Sequence, residues 1–122
     1  MLVTGISTTP RRRAPILGGP AVATLPPASR SGQVAAVHVE IPAAGGMPGH
    51  DHGASEIILI PLSGTTEGRH DGQTRTLSAG LAAHIAAGER VSLANPGPGP
   101  AAVMVVASPP EFARRLAKWS AA

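Results

Sequence analysis

One stretch of the sequence decides both the fold and the candidate chemistry: Gly45-Gly46-Met47-Pro48-Gly49-His50-Asp51-His52-Gly53-Ala54-Ser55-Glu56. His50 and His52 are two positions apart, so both imidazoles leave the same face of an extended segment. Glu56 has the same parity, but in an unbroken strand it would lie about 20 Å from His50. Residues 53–55 are turn residues, so the chain is expected to fold back there. The stretch therefore predicts a strand, a tight turn and a second strand, with the three side chains brought together across the turn.

Two imidazoles and one carboxylate, with coordination positions left open, are typical of a catalytic zinc site or a non-haem iron site. We therefore predict that His50, His52 and Glu56 bind a divalent transition-metal ion. The donor set alone does not select the metal, because iron, manganese, nickel, copper and zinc all accept such ligands.

The composition predicts a single all-β domain. A chain of 122 residues is long enough for one core and not for two. It contains one Phe, one Trp and no Tyr, so the core must be packed from Val, Ile, Leu and Ala. The 15 Gly and 13 Pro favour short strands joined by turns over a helical bundle.

Charge and cysteine content exclude several classes of partner. The net charge is +3, but much of the excess lies near the two ends, and aromatic residues are too few for a base-stacking platform, so we expect no nucleic-acid partner. Cysteine is absent, which excludes disulfides and thiolate metal sites. No apolar run approaches the roughly 20 residues of a membrane span. We expect a cytoplasmic protein with no membrane partner.

The order of the chain predicts three parts. Residues 1–30 are expected to form an N-terminal arm or edge strands, residues 31–108 a barrel, and residues 109–122 a C-terminal helix. Seven to nine short strands at hairpin spacing indicate an antiparallel sandwich or barrel. Before the helix, Ser108 and Glu111 have the spacing of a capping box, and Pro109 suits the first helical position.

Three details of the strands are predicted more closely. Residues 56–60 are apolar on both faces and indicate a central strand buried on both sides, and Pro61 signals an edge, a bulge or the end of that strand. Asp71-Gly72 is the dipeptide that best suits a two-residue hairpin turn. His38 has apolar neighbours and is expected to be a core or pocket-edge histidine, whereas His70 is expected to be exposed.

The strand pattern and the histidine motif together resemble the cupin superfamily, whose members are double-stranded β-helix (jelly-roll) barrels. The first cupin motif has H-x-H followed, after three or four residues, by E, and the sequence from His50 to Glu56 matches it with three. Gly80, Gly88 and Asn95 match the spacing of the second motif. The resemblance covers residues 33–107 and implies an all-β jelly-roll barrel with a short C-terminal α-helix.

The second motif departs from the family at the last metal-binding histidine, where this chain has Val91. One interpretation is a weakened metal site with three protein ligands, and another is that His84 supplies the missing imidazole. The third is that no metal binds and the histidines line an apolar pocket. Further candidates for a ligand, a base or the pocket wall are His84, Val91, Ile58, Ile60, Glu40 and Met104.

The resemblance implies two functions of different classes. The first is a small metal-dependent enzyme acting on an organic acid or carbonyl substrate, by dioxygenase, isomerase or related chemistry. The alternative is a non-catalytic barrel that binds or senses a small molecule, with or without a metal. Similar small barrels also associate through sheet edges or exchanged N-terminal strands, so a homodimer is expected.

Overall fold

A computed structural model describes residues 1–122 as two antiparallel β-sheets and one short helix. The strands are β1 (Arg12–Arg13), β2 (Ala21–Leu25), β3 (Ala35–Ile41), β4 (Gly46–His50), β5 (Glu56–Ser63), β6 (Thr66–His70), β7 (Gln73–Leu77), β8 (Ala83–Ile85), β9 (Val91–Ala94), β10 (Ala101–Ser108) and β11 (Ser120–Ala121). The helix α1 spans Glu111–Leu116, and a 3₁₀ turn spans Ile6–Thr8. The predicted all-β architecture with a short C-terminal helix is confirmed, and its one α-helix is far too short to cross a membrane.

The core lies between the two sheets. The larger sheet has the strand order β11-β1-β2-β3-β10-β5-β8, and the smaller has β4-β9-β6-β7. At the centre of the larger sheet Val39 pairs with Val103 and Val37 with Val105, and all four side chains are buried. β-branched residues suit this position because they pack well on a pleated surface. The inner face of the larger sheet is therefore aliphatic.

The strand β5 is buried on one face only, so the prediction of burial on both faces is wrong. Ile57 and Leu59 point into the core, whereas Ile58 and Ile60 are 39% and 37% exposed on the outside. An apolar sequence shows which residues can be buried, but it cannot show whether both faces of the sheet are covered. Of the three alternatives for Pro61 the structure shows the bulge, because the pairing with β10 skips Leu62.

The hairpin between β6 and β7 confirms the prediction from Asp71-Gly72. His70 pairs with Gln73, so only two residues form the turn. Asp71 and Gly72 have φ values of 49° and 74°, which is the left-handed region that a type I′ turn requires at both positions. The hairpin places β7 at the edge of the smaller sheet.

The N-terminal segment joins the larger sheet as edge strands. β1 pairs with β2 on one side and with β11 on the other. Arg11 donates from its Nη2 to the carbonyl of Ala21 and to Nδ1 of His38, which is buried on the outer face of β3. His38 is thus buried as predicted, but under the N-terminal segment and away from the cavity described below.

The helix begins later than the sequence indicates. Ser108 is the last residue of β10, and its hydroxyl donates to the carbonyl of Gln33. Helix α1 starts at Glu111, and its N-cap residue, Pro110, provides no side-chain cap. The predicted capping box is therefore wrong, because pairing in the sheet holds Ser108 in an extended conformation.

Candidate ligand-binding site

A cavity of about 550 Å³ lies between the two sheets and is closed on one side by the C-terminal helix. Most of its wall is apolar. The larger sheet contributes Ile57, Leu59, Val103 and Val105, the smaller sheet Met47, Val91 and Leu93, and the C-terminal segment Phe112, Leu116 and Trp119. This volume is typical of a site for a small organic molecule.

His50 is held at the end of β4, beside β9, where it pairs with Val91. Its Nδ1 lies 2.8 Å from the carbonyl oxygen of Pro48. A carbonyl only accepts hydrogen bonds, so Nδ1 carries the proton and Nε2 keeps a free lone pair when the ring is neutral. The bond fixes the tautomer and orientation of His50 at the wall of the cavity.

His52 is the more deeply buried of the two histidines, with 5% of its surface exposed. Its ring centroid lies 4.8 Å from that of His50 and 4.6 Å from that of Phe112, with an edge-to-face arrangement in both cases. Burial, with smaller contributions from His50 and Arg115, lowers the pKa of His52 to about 4. His52 is therefore neutral at pH 7, and its Nδ1 is buried without a hydrogen-bond partner.

Ser55 fixes the turn after His52 to the helix. Its hydroxyl donates to the carbonyl of Pro109 and accepts from the backbone N–H of Phe112 at 3.2 Å. Ser55 is completely buried, so these two bonds replace water for the hydroxyl. The sequence analysis missed Ser55 and Phe112, because their contact joins positions 57 residues apart and leaves no local pattern.

Glu56 does not join the histidines, which corrects the predicted three-ligand arrangement. Its side chain is 64% exposed on the outer face of β5, and Oε1 lies 2.9 Å from Nε2 of His84. The turn closes as expected, with the N–H of Ser55 donating to the carbonyl of His52. Because Ser55 and Ile57 both point inward, alternation along the strand directs Glu56 outward. Ile57 occupies the inward position that the four-residue form of the motif would give to the glutamate.

The remaining candidate residues divide between the cavity and the outer surface. Val91 lines the cavity beside His50, and His84 lies at its rim. Four residues proposed for the pocket are corrected, because they have outward parity on β3, β5 and β10 and do not line the cavity: Glu40, Ile58, Ile60 and Met104. No group of three or more His, Cys, Asp or Glu side chains lies close enough together to hold a metal ion.

Comparison with known families and structures agrees with this architecture. The family model described as "Cupin domain" matches residues 37–107, which is more than half of the chain. The chain belongs to the cupin family. The family match confirms the resemblance and the jelly-roll fold. No significant match was found among curated proteins.

Solved structures similar to this cupin share its fold at low sequence identity. A Cupin 2 conserved barrel domain protein from Salinispora arenicola has a TM-score of 0.75 and 19% identity, with 96% of each chain covered. A predicted oxalate decarboxylase from Thermotoga maritima has a TM-score of 0.75 and 20% identity, covering 88% of this chain and 98% of its own. The polyketide cyclase RemF from Streptomyces resistomycificus has a TM-score of 0.78 and 18% identity, covering 88% of this chain and 79% of its own. At these identities the similarity shows the fold alone.

The metal centre that the family implies does not fit the side chains of this cavity. The two positions that should provide the third and fourth ligands hold Ile57 and Val91, whose side chains cannot coordinate a metal. Two imidazoles fall short of the three protein ligands that catalytic zinc and iron sites commonly use. Glu56 and the Nδ1 of His50 have partners within the chain, whereas the Nδ1 of His52 is buried without one.

Proposed function

We propose that this cupin binds a small, largely apolar organic molecule in its cavity, with His50 and His52 as the polar anchor and without a three-ligand metal centre. One observation carries the proposal: two histidines face an aliphatic cavity while the carboxylate of Glu56 points to the opposite side of the sheet. The non-catalytic alternative therefore accounts for the arrangement better than a metal-dependent enzyme.

The walls of the cavity define what such a ligand must offer. Aliphatic side chains from both sheets favour an apolar body, because burying apolar surface contributes about 25 cal/mol per Å². The buried Nδ1 of His52 costs about 1–3 kcal/mol while it has no partner. A hydroxyl or carbonyl group on the ligand would bind to the histidine pair, and a neutral imidazole can serve either as donor or as acceptor.

The metal-dependent enzyme is the second candidate, and one observation favours it. The Nδ1 of His50 donates to a backbone carbonyl and leaves Nε2 free, which is the usual arrangement of a metal-binding histidine. His52 has no such partner for its Nδ1. A metal held by these two imidazoles would need its other donors from the bound molecule. Two of the similar structures are named as enzymes, but at 18–20% identity to this chain they show a shared fold and not a shared activity.

Elemental analysis of the purified protein distinguishes the two candidates. The protein and its His52→Ala variant are purified without added metal, and their iron, manganese, nickel, copper and zinc contents are measured. We expect substoichiometric metal in both proteins. Stoichiometric metal in the natural protein that is lost in the variant would overturn the metal-free proposal in favour of the enzyme.

Ligand binding is measured by titrating 1-octanol into the metal-free protein. A Leu93→Trp variant fills the cavity from β9, and Leu62→Trp adds the same side chain on the outer face of β5 as a matched control. We expect 1-octanol to bind the natural protein and the Leu62 variant, and to lose most of its affinity for the Leu93 variant. Equal binding to all three proteins would place the alcohol outside the cavity and contradict the proposal.

A further inference from the structure

One row of inward-facing residues crosses the smaller sheet from its edge to the histidine side. Arg75 on β7 pairs with Gly68 on β6, Gly68 pairs with Leu93 on β9, and Leu93 pairs with Met47 on β4. Residues opposite one another in an antiparallel sheet direct their side chains to the same face. All four residues line the cavity. Arg75 therefore lies at one end of a row whose other members are apolar.

Gly68 leaves space beside Arg75. The row has no side chain at this position, so nothing from β6 separates the guanidinium group from Leu93. A methyl group added at Gly68 would contact only the end of Leu77, at 3.4 Å, and the backbone there does not require glycine. The absence of a side chain at Gly68 therefore shapes the cavity wall and is not required by the backbone of β6.

Arg75 is also the one arginine lining the cavity that has no partner. Arg69 lies 3.9 Å from a carboxylate oxygen of Glu67, whereas Arg75 forms no hydrogen bond and no ion pair within the chain. Glu89 is the one carboxylate among the lining residues, and no ion pair joins it to Arg75, so the Arg75 guanidinium group is available to a ligand.

We infer that the ligand of this cupin carries an anionic group, of the carboxylate class, which Arg75 binds at the Gly68 end of the cavity. The inference rests on the proposed binding function and specifies the class of ligand. A guanidinium group binds a carboxylate through two parallel hydrogen bonds, which gives orientation as well as affinity. β7 and β4 are three strand spacings apart, about 14 Å. An extended amphipathic acid therefore reaches from Arg75 across the aliphatic wall toward the histidines.

A matched pair of ligands tests this assignment. Octanoate and 1-octanol are titrated by calorimetry at pH 7.5 into the natural protein and into the variants Arg75→Gln and Arg30→Gln. Arg30 is an exposed arginine that does not line the cavity, so its variant makes the same change in net charge at a remote position. Both arginine side chains are exposed, so neither substitution should unfold the protein. Urea unfolding of each variant is the control for a retained fold.

We expect Arg75→Gln to weaken octanoate binding by a factor of about ten or more, because a hydrogen bond to a charged group is lost. The same variant should leave 1-octanol binding unchanged, and Arg30→Gln should change neither. If 1-octanol binds but octanoate is insensitive to Arg75→Gln, or Arg30→Gln weakens octanoate equally, the anion site is refuted and the binding function stands. If neither compound binds the natural protein, both proposals are refuted.

Discussion

The outward orientation of Glu56 leads to a sharp prediction about two adjacent positions. Glu56→Gln removes a carboxylate whose partner is His84, and the two side chains are 64% and 55% exposed. Exposed ion pairs typically contribute about 0.2–1 kcal/mol and weaken as salt is added. We therefore expect Glu56→Gln to reduce the free energy of unfolding by less than about 1 kcal/mol, and the effect to shrink in 1 M salt.

Ile57→Gln makes a comparable polar replacement one residue further along, with a very different expected result. Ile57 is completely buried, so the variant loses about 1.5–3 kcal/mol of apolar burial and leaves an amide without partners at about 1–3 kcal/mol more. We expect a total loss of about 2.5–6 kcal/mol, a large part of the stability of a small domain. Urea unfolding of both variants, with the slope m held common, measures the difference.

The opposite order of effects would refute the orientation of β5. If Glu56→Gln destabilised the protein more than Ile57→Gln, or removed a bound metal, Glu56 would have to lie inside the barrel. The double exchange Glu56→Ile with Ile57→Glu provides the positive control, because it moves the carboxylate to the inward position beside the histidines. Added zinc should raise the unfolding free energy of the exchange variant more than that of the natural protein, since a ligand that binds only the folded state stabilises it.

Three further predictions concern other parts of the fold. Asn95 is 2% exposed, and its Nδ2 donates to three backbone carbonyls. Asn95→Ala should therefore lower the free energy of unfolding, measured in urea, by about 2–4 kcal/mol. Gln33→Ala removes an exposed amide and should change it little. Burial, then Arg11, lowers the pKa of His38 below that in the unfolded chain, against the opposing charge of Glu40. Because the unfolded chain then binds more protons, stability should fall as the pH drops below about 6.5. His38→Gln should reduce this slope without abolishing it, because the pKa of His52 is lowered as well. We expect the predicted homodimer to form through the exposed apolar outer face of β5. Ile60→Lys should therefore lower the mass measured by sedimentation velocity to that of the monomer. A natural protein that is already monomeric would contradict this prediction.

The features predicted correctly from the sequence are those that local chemistry determines. Asp71-Gly72 specifies its turn through the backbone angles of two residues, and Pro61, which lacks an N–H, lies beside the bulge in β5. The position of the cavity walls depends instead on long-range pairing. The bonds of the Ser55 hydroxyl to Pro109 and Phe112 join the turn after His52 to the C-terminal segment, and no short sequence pattern reveals them.

The failure at Glu56 has a more specific cause. The motif counts residues between His52 and the glutamate, but what matters for coordination is the parity of the strand after the turn. Three intervening residues make Ser55 and Ile57 the inward residues of this turn and strand, and Ser55 is held inward by its bonds to the start of the helix. A change of one residue in the spacing thus reverses which face a side chain occupies. The motif therefore matched in sequence while its third ligand lay outside.

Several motif residues in this chain have roles in the fold that are independent of any metal. Gly80 and Gly88 adopt φ values of 97° and 75°, which other residues rarely adopt, and Asn95 connects the loop after β9 to the end of β3 through the carbonyl of Ile41. These residues would be required by a cupin barrel with or without a metal centre, so their presence identifies the fold and says nothing about coordination. The positions that do bear on coordination hold Ile57 and Val91, and both contribute apolar surface to the cavity. The same residues that cannot act as metal ligands thus enlarge the apolar wall, which supports our proposal that this cavity binds an apolar ligand.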